Sequence, residues 1–241
     1  MKKLQIVLLL IAATLAPAFT QAQSLDDVLK EYFSAIGQDK LVKTNSMVTT
    51  GKFNQMGMEI PFMQYSMRPA NVRVEGTFQG LSFVQTYNGT EGWSLNPFAG
   101  STTAEPITAD EMKSMKVQAD MDGLLWNWKE KGHIVTLEGT EDVEGTSCFK
   151  IKIATADGDV YNYFIDSDSY MLIRVNSKIT TMGTEVESDT YFSNYMQIEG
   201  IAFPGKIENR YNGVQGEVII VDKVELNKEL QASIFDKPGS N

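Results

Sequence analysis

From Ser46 to Leu226 the chain repeats one pattern: short stretches of alternating apolar and polar residues, broken by glycine, asparagine or aspartate turns. Alternation with period two marks a strand with one buried and one wet face. Repetition at about ten-residue spacing is the signature of consecutive antiparallel strands. The segments Met47 to Asn54, Met58 to Met67, Val72 to Gln79 and Leu81 to Tyr87 open this series. Asn88-Gly89 then predicts a type I′ hairpin into Glu91-Gly92-Trp93. Further strands are expected at Ile134 to Gly139, Cys148 to Thr155, Val160 to Asp166, Tyr170 to Thr180, Thr184 to Tyr195, Ile201 to Tyr211 and Gly216 to Leu226. About eleven strands, joined by short turns, suit one strongly curved antiparallel sheet or barrel.

Two segments break the pattern. Ser24 precedes Asp26 and Asp27, a favourable start for a helix whose apolar stripe runs through Leu25, Val28, Leu29, Tyr32, Phe33 and Ile36. Gly37 can end it in a left-handed cap. Thr108 through Glu111 reads as a capping box, with Met112 and Met115 following on one face. Met121, Leu124, Leu125, Trp126 and Trp128 then crowd a helix-like insert. An isolated helix this short is marginal. Both segments must lie on the sheet, which makes the fold class α+β with helices covering one face.

The N-terminus has the form of a removable export signal. Lys2 and Lys3 precede an apolar run from Leu4 to Ala18, and Thr20-Gln21-Ala22 supplies small residues for cleavage. That run, about fifteen residues, is short of the roughly twenty a membrane span needs, and no second run follows. Residues 1–22 are therefore expected to be removed, leaving residues 23–241 as one soluble, exported domain, expected to be monomeric. Cys148 is the sole cysteine, so the cleavage site offers no thiol for a lipid anchor and the chain no disulfide. Its place in an alternating stretch makes it a buried strand residue. The formal charge of −10 becomes more negative once Lys2 and Lys3 are lost, which argues against nucleic acid and anionic membrane surfaces as partners.

Chemistry is hard to find. His133 is the only histidine, and no G-x-S-x-G turn exposes a serine for it. One histidine and one cysteine do not make a zinc site without carboxylates at every other position. Asp120-Met121-Asp122, Asp157-Gly158-Asp159 and Asp166-Ser167-Asp168 could offer paired carboxylates, but none extends into a full calcium loop. The expectation is a protein that is not an enzyme, with no catalytic residue, metal or cofactor. What stands out is methionine, with twelve in the sequence. Its flexible thioether lines adaptable apolar surfaces, and a curved sheet under helices leaves a space for such side chains to line.

Two stretches carry a family resemblance. Met67-Arg68-Pro69-Ala70-Asn71, followed by Tyr87 to Phe98 with its Asn-Gly turn and tryptophan strand ending in Asn96-Pro97-Phe98, resembles the LolA lipoprotein carriers in order and spacing. Gly200-Ile201-Ala202-Phe203-Pro204 and Phe235-Asp236-Lys237-Pro238 look like stretches of related exported proteins. The resemblance implies an incomplete β-barrel whose concave face is covered by helices and holds lipid. It implies a periplasmic shuttle that takes acylated lipoproteins from an inner-membrane exporter to an outer-membrane acceptor. The same fold also serves envelope sensors and accessory modules that bind protein, which is the alternative reading. In LolA the arginine of the Arg-Pro step hydrogen-bonds to a lid, and Arg68 holds the matching position. The lid expected here is Thr108 to Lys129. Met63, Trp93, Leu95, Phe98, Met112, Met115, Met121, Leu124 and Leu125 are the residues expected to line the cavity or lid. This chain departs from the family in its longer strands and in a lid segment that shares no specific motif.

Overall fold

A computed structural model describes residues 23–55, 57–181 and 184–239. The expected export signal at 1–22 lies outside the described residues, as do Met56 and Met182. Helix α1 (Leu25–Ile36) starts where the sequence places it, with a complete capping box between Ser24 and Asp27, and ends at Gly37 with φ 74°. Gly37 is also needed for space, because a Cβ there would lie 2.1 Å from the Gly200 carbonyl oxygen. A short α2 (Gln38–Leu41) follows.

The strands form one sheet of thirteen and a separate pair. β1 (Ser46–Gln55), β2 (Met58–Met67), β3 (Asn71–Phe78), β4 (Leu81–Tyr87), β5 (Gly92–Leu95) and β6 (Glu105–Pro106) form a meander. After α3 (Ala109–Ala119), a second series comprises β7 (Ile134–Val143), β8 (Thr146–Ala154), β9 (Val160–Asp166), β10 (Leu172–Thr181), β11 (Thr184–Ser193), β14 (Lys206–Tyr211) and β15 (Val214–Leu226). The pair β12 (Met196–Ile198) and β13 (Ile201–Phe203) stands apart. Neighbours in the large sheet pair antiparallel in the order β6-β5-β4-β3-β2-β1-β15-β14-β11-β10-β9-β8-β7. First and last strands thus meet at the centre, with Met47 opposite Leu226 and Phe53 opposite Ile219. The edges, β6 and β7, do not pair with each other, so the barrel is incomplete. The chain crosses from one edge to the other through α3 and residues 120–133.

The strand count exceeds the sequence-based one for local reasons. Pro204-Gly205 divides the stretch expected as one strand, Ile201 to Tyr211, into β13 and β14, and Asn194 with φ 55° separates β11 from β12. β6 spans two residues and has no alternation to read. The helix-like insert from Met121 to Trp128 is a series of turns, with Gly123 and Asn127 at positive φ. Nor is Asn88-Gly89 a type I′ turn, which would need positive φ at both residues. Gly89 alone of the two has it. Asn88 instead accepts the backbone N–H groups of Thr90 and Glu91 on its side-chain oxygen, closing a longer loop in which Tyr87 faces Gly92.

The largest core packs Val28, Leu29 and Tyr32 of α1 with Leu124 and Leu125 onto Phe149, Ile151 and Ile153 of β8 and Ile165 of β9. That filling occupies the concavity over β8 and β9. A smaller cluster joins Met115 and Ala119 of α3 to Val72 and Tyr87. On the opposite face of β3 and β4, the C-terminal 3-10 turn Ala232–Phe235 lies as a strap: Arg73 donates to the Ile234 carbonyl and Thr86 to the Phe235 carbonyl, both at 2.9 Å.

Candidate functional site

Between the two cores the concave surface stays open, as a cavity of about 790 Å³. Its walls come from β1 to β5, β10, β11, β14 and β15, with one side of α3 across it. The apolar wall is largely aromatic and β-branched: Phe53, Phe62, Val74, Phe83, Ile207 and Ile219. Strand alternation selects these residues, since Phe62 opposes Gly51 on one neighbour and Gly76 on the other. Both glycines make room for rings. A Cβ on Gly76 would stand 2.7 Å from the Phe83 ring, and one on Gly51 would stand 2.9 Å from the Phe62 ring. Polar groups also border the cavity, among them Gln64, Gln85, Ser94, Thr190, Asn209 and Glu217.

The helix that crosses the cavity turns its polar side inward. Glu111, Ser114 and Gln118 border the cavity. Met115 is fully buried against Val72 and Tyr87, and Met112 packs beside it. The apolar residues of α3 therefore hold it to the sheet. A second tie is the 2.9 Å ion pair of Lys113 with Asp159 in the β8–β9 turn.

Arg68 joins three parts of the chain. Its guanidinium donates two hydrogen bonds to the Asp122 carboxylate, at 2.8 and 2.5 Å, just beyond α3. It donates two more to the carbonyls of Thr44 at 2.8 Å and Leu41 at 3.0 Å. The paired side chains are 24% and 20% exposed, so Arg68 is not a solvated surface cation. The paired fork raises the guanidinium pKa further, Asp122 being the main cause. Gln38 donates to the Asp122 carbonyl at 3.1 Å, and Lys131 pairs with Asp120. The Arg68-Pro69 peptide is cis. Asp122, read from sequence as a calcium candidate, is thus the partner of an arginine that lies far from it along the chain.

Of the residues expected to line the cavity, Leu95 borders it. Met63 lies on the other face of β2, opposite Glu75 and 38% exposed. Trp93 opposes Thr86 on the strap side, with the Lys237 ammonium 4.7 Å from its ring. Phe98 is half exposed and packs on Phe78. Leu124 and Leu125 belong to the α1 core, and Met121 is buried at the start of the turns. The residues that form the wall were missed because hydrophobicity alone does not say which face of a curved sheet is concave. The signal available was the alternation of Phe53, Phe62 and Phe83 against Gly51 and Gly76.

Other candidate residues have structural duties. His133 Nδ1 accepts the Ala156 N–H at 3.2 Å, and burial lowers its pKa. Cys148 is fully buried, its thiol pushed up to about 11 by desolvation. Among the described residues no group of histidine, cysteine and carboxylates is arranged to hold a metal ion. No helix among them is long and apolar enough to cross a membrane.

No protein-family model matches the chain, and no curated protein matches it either. Solved structures do. A LolA superfamily protein of Nitrosomonas europaea superposes with a TM-score of 0.60 at 12% identity, covering 90% of this chain and 99% of its own. The chain has a LolA-like fold. A putative outer membrane lipoprotein-sorting protein domain of Vibrio parahaemolyticus gives a TM-score of 0.58 at 11% identity, covering 87% of this chain and 97% of its own. A DUF1329 family protein of Desulfovibrio piger gives 0.59 at 15% identity, with coverage of 87% and 97%. The LolA-like fold accounts for an open antiparallel sheet carrying its helices on the concave side, and fold alone does not assign a function.

Proposed function

We propose that this protein is an exported, periplasmic carrier that buries lipid acyl chains and shuttles them, lipoproteins first among its cargo, toward the outer membrane. The observation that carries the reading is the cavity of about 790 Å³ inside an open sheet, walled by Phe53, Phe62, Phe83 and Ile219. Its volume falls in the roughly 300–1,000 Å³ range of ligand pockets. An acyl chain of sixteen carbons gains on the order of 12 kcal/mol on burial, at about 0.8 kcal/mol per CH₂. Binding that strong needs a cover that opens if cargo is to leave. In this reading α3 and the turns to Lys129 are the cover, and the Arg68–Asp122 pair is its latch. On α3 the inward side is polar, so that helix gives up little apolar contact with the cavity when it lifts. One fold neighbour is described as a putative outer membrane lipoprotein-sorting protein domain, which supports a carrier.

The test is uptake of a fluorescent long-chain ester by purified protein near neutral pH. Wild type takes it up stoichiometrically, and Ile219→Glu, which puts a charge in the middle of the apolar wall, does not. Equal uptake by both proteins would remove the cavity from the site.

A further inference from the structure

The cavity is apolar but not electrically neutral. Glu111 and Glu217 border it, and among the described residues no lysine, arginine or histidine does. The Glu111 carboxylate is committed, accepting the Thr108 N–H and hydroxyl at 2.8 Å each to cap α3. Glu217 is not. Its Oε1 accepts a single hydrogen bond, 3.1 Å from Asn209 Nδ2, and among the described residues it has no ion pair. Asn209 is itself fixed, because its Oδ1 accepts the Thr190 hydroxyl at 2.8 Å. Thr190, Asn209 and Glu217 thus form a relay across β11, β14 and β15 that aims one carboxylate and leaves its other oxygen free.

Cations are close by, but on the wrong side. Strand alternation sends Lys206, Glu208 and Arg210 to the opposite face, where Glu208 accepts from both basic residues and Arg210 lies 4.1 Å over the Tyr191 ring. Glu217 sits two residues toward the β14–β15 hairpin from Ile219, which faces Phe53 in the apolar wall. Beyond it the hairpin carries Tyr211 and Val214, 37% and 71% exposed. The carboxylate therefore stands where the greasy interior gives way to solvent, the level at which an amphiphile inserted tail-first leaves its head. Burial raises its pKa, the sign of a charge that lacks a counterion.

Resting on the carrier reading, we infer that the cavity selects amphiphiles whose polar end is a primary ammonium, received by the free oxygen of Glu217, and disfavours anionic heads. An ammonium supplies the counterion and up to three donors. A fatty-acid carboxylate or a phosphate would meet like charge with no basic residue to offset it.

The experiment loads the protein with N-phenyl-1-naphthylamine, a neutral apolar probe, and displaces it at low salt near neutral pH with dodecylamine, dodecanol or dodecanoate. Wild type should bind dodecylamine about ten-fold more tightly than dodecanol, the value of one charge-assisted hydrogen bond. Dodecanoate should be the weakest. Glu217→Gln keeps the side-chain shape and should bring amine and alcohol to similar affinity, with an unchanged far-UV circular dichroism spectrum reporting an intact fold. Probe uptake with the same amine preference in both proteins, or a preference of wild type for dodecanoate, overturns the inference alone. Failure of the probe to enter wild type overturns the carrier reading and the inference together.

Discussion

Replacing Arg68 by leucine removes four hydrogen bonds, two of them to a carboxylate. Hydrogen bonds to charged groups are worth roughly 1.5–3 kcal/mol each, and breaking a fully buried pair costs about 3–5 kcal/mol. Both side chains keep 20–24% exposure, so solvent screens part of that, and Asp122 rehydrates when its partner is lost. A local cost of about 2–3 kcal/mol remains, equal to a roughly 30- to 150-fold rise in the open population. Hydrogen exchange followed by mass spectrometry reads this directly. The amides of Lys131, Gly132 and His133, which bond within the turns, should lose protection by that factor. Amides in β8 and β9, which belong to the α1 core, should not. Arg68→Lys should resemble leucine more than wild type, because an ammonium does not reproduce the planar fork or reach two carbonyls besides. Unchanged protection over residues 123–133, or an equal loss in β8 and β9, would refute the latch.

Other expectations concern neighbouring parts. If Arg68 latches a closed cover, Arg68→Leu should pass bound cargo to an acceptor faster than wild type, in step with its larger open population, as a stopped-flow transfer assay would report. Met115→Asp puts an unpaired charge into the cluster with Val72 and Tyr87; it should release α3, seen as new protease cleavage between Ala109 and Ala119 while the sheet stays folded. Phe235→Ala leaves a cavity under the strap at a fully buried site and should cost about 3–5 kcal/mol in urea unfolding. Burial raises the folded-state pKa of Glu217 above its usual 4.5, so its charge opposes folding. That cost is fully present above the raised pKa, declines as pH falls through it and is gone below about pH 4.5. Glu217→Gln should therefore melt higher than wild type at neutral pH, with the gap closing toward pH 4.5.

The parts of the fold legible in sequence are those governed by local rules. The Ser24 and Thr108 capping boxes place both long helices, because an N-cap and its third residue act within one turn. Period-two alternation places most strands. What stays hidden is non-local. Nothing in β1 announces that Met47 will oppose Leu226, and with that pairing unknown the order of the sheet, its open edges and its concave face are unknown too. The site suffers most from this. Met112 and Met115, expected to line the cavity or lid, lie on α3 and anchor it to Val72 and Tyr87, and Glu111, Ser114 and Gln118 of that helix face the cavity. Nothing in the sequence distinguishes Glu217 from Asp222 and Glu225 of the same strand. Only the register of β14 with β15 and β11 sets it beside Asn209 and Thr190, over the cavity. The resemblance singles out Arg68, while Asp122 becomes its hydrogen-bond partner only through the crossing of the chain from β6 to β7.

The central claim, that the cavity carries acyl chains, is most directly tested by native mass spectrometry with lipid extraction on protein purified without detergent from the cells that make it. The account predicts a stoichiometric mass increment that extraction removes and identifies as a long-chain lipid or an acylated peptide. Protein recovered at its bare mass, or in a stable complex with a protein carrying no acyl chain, would contradict it.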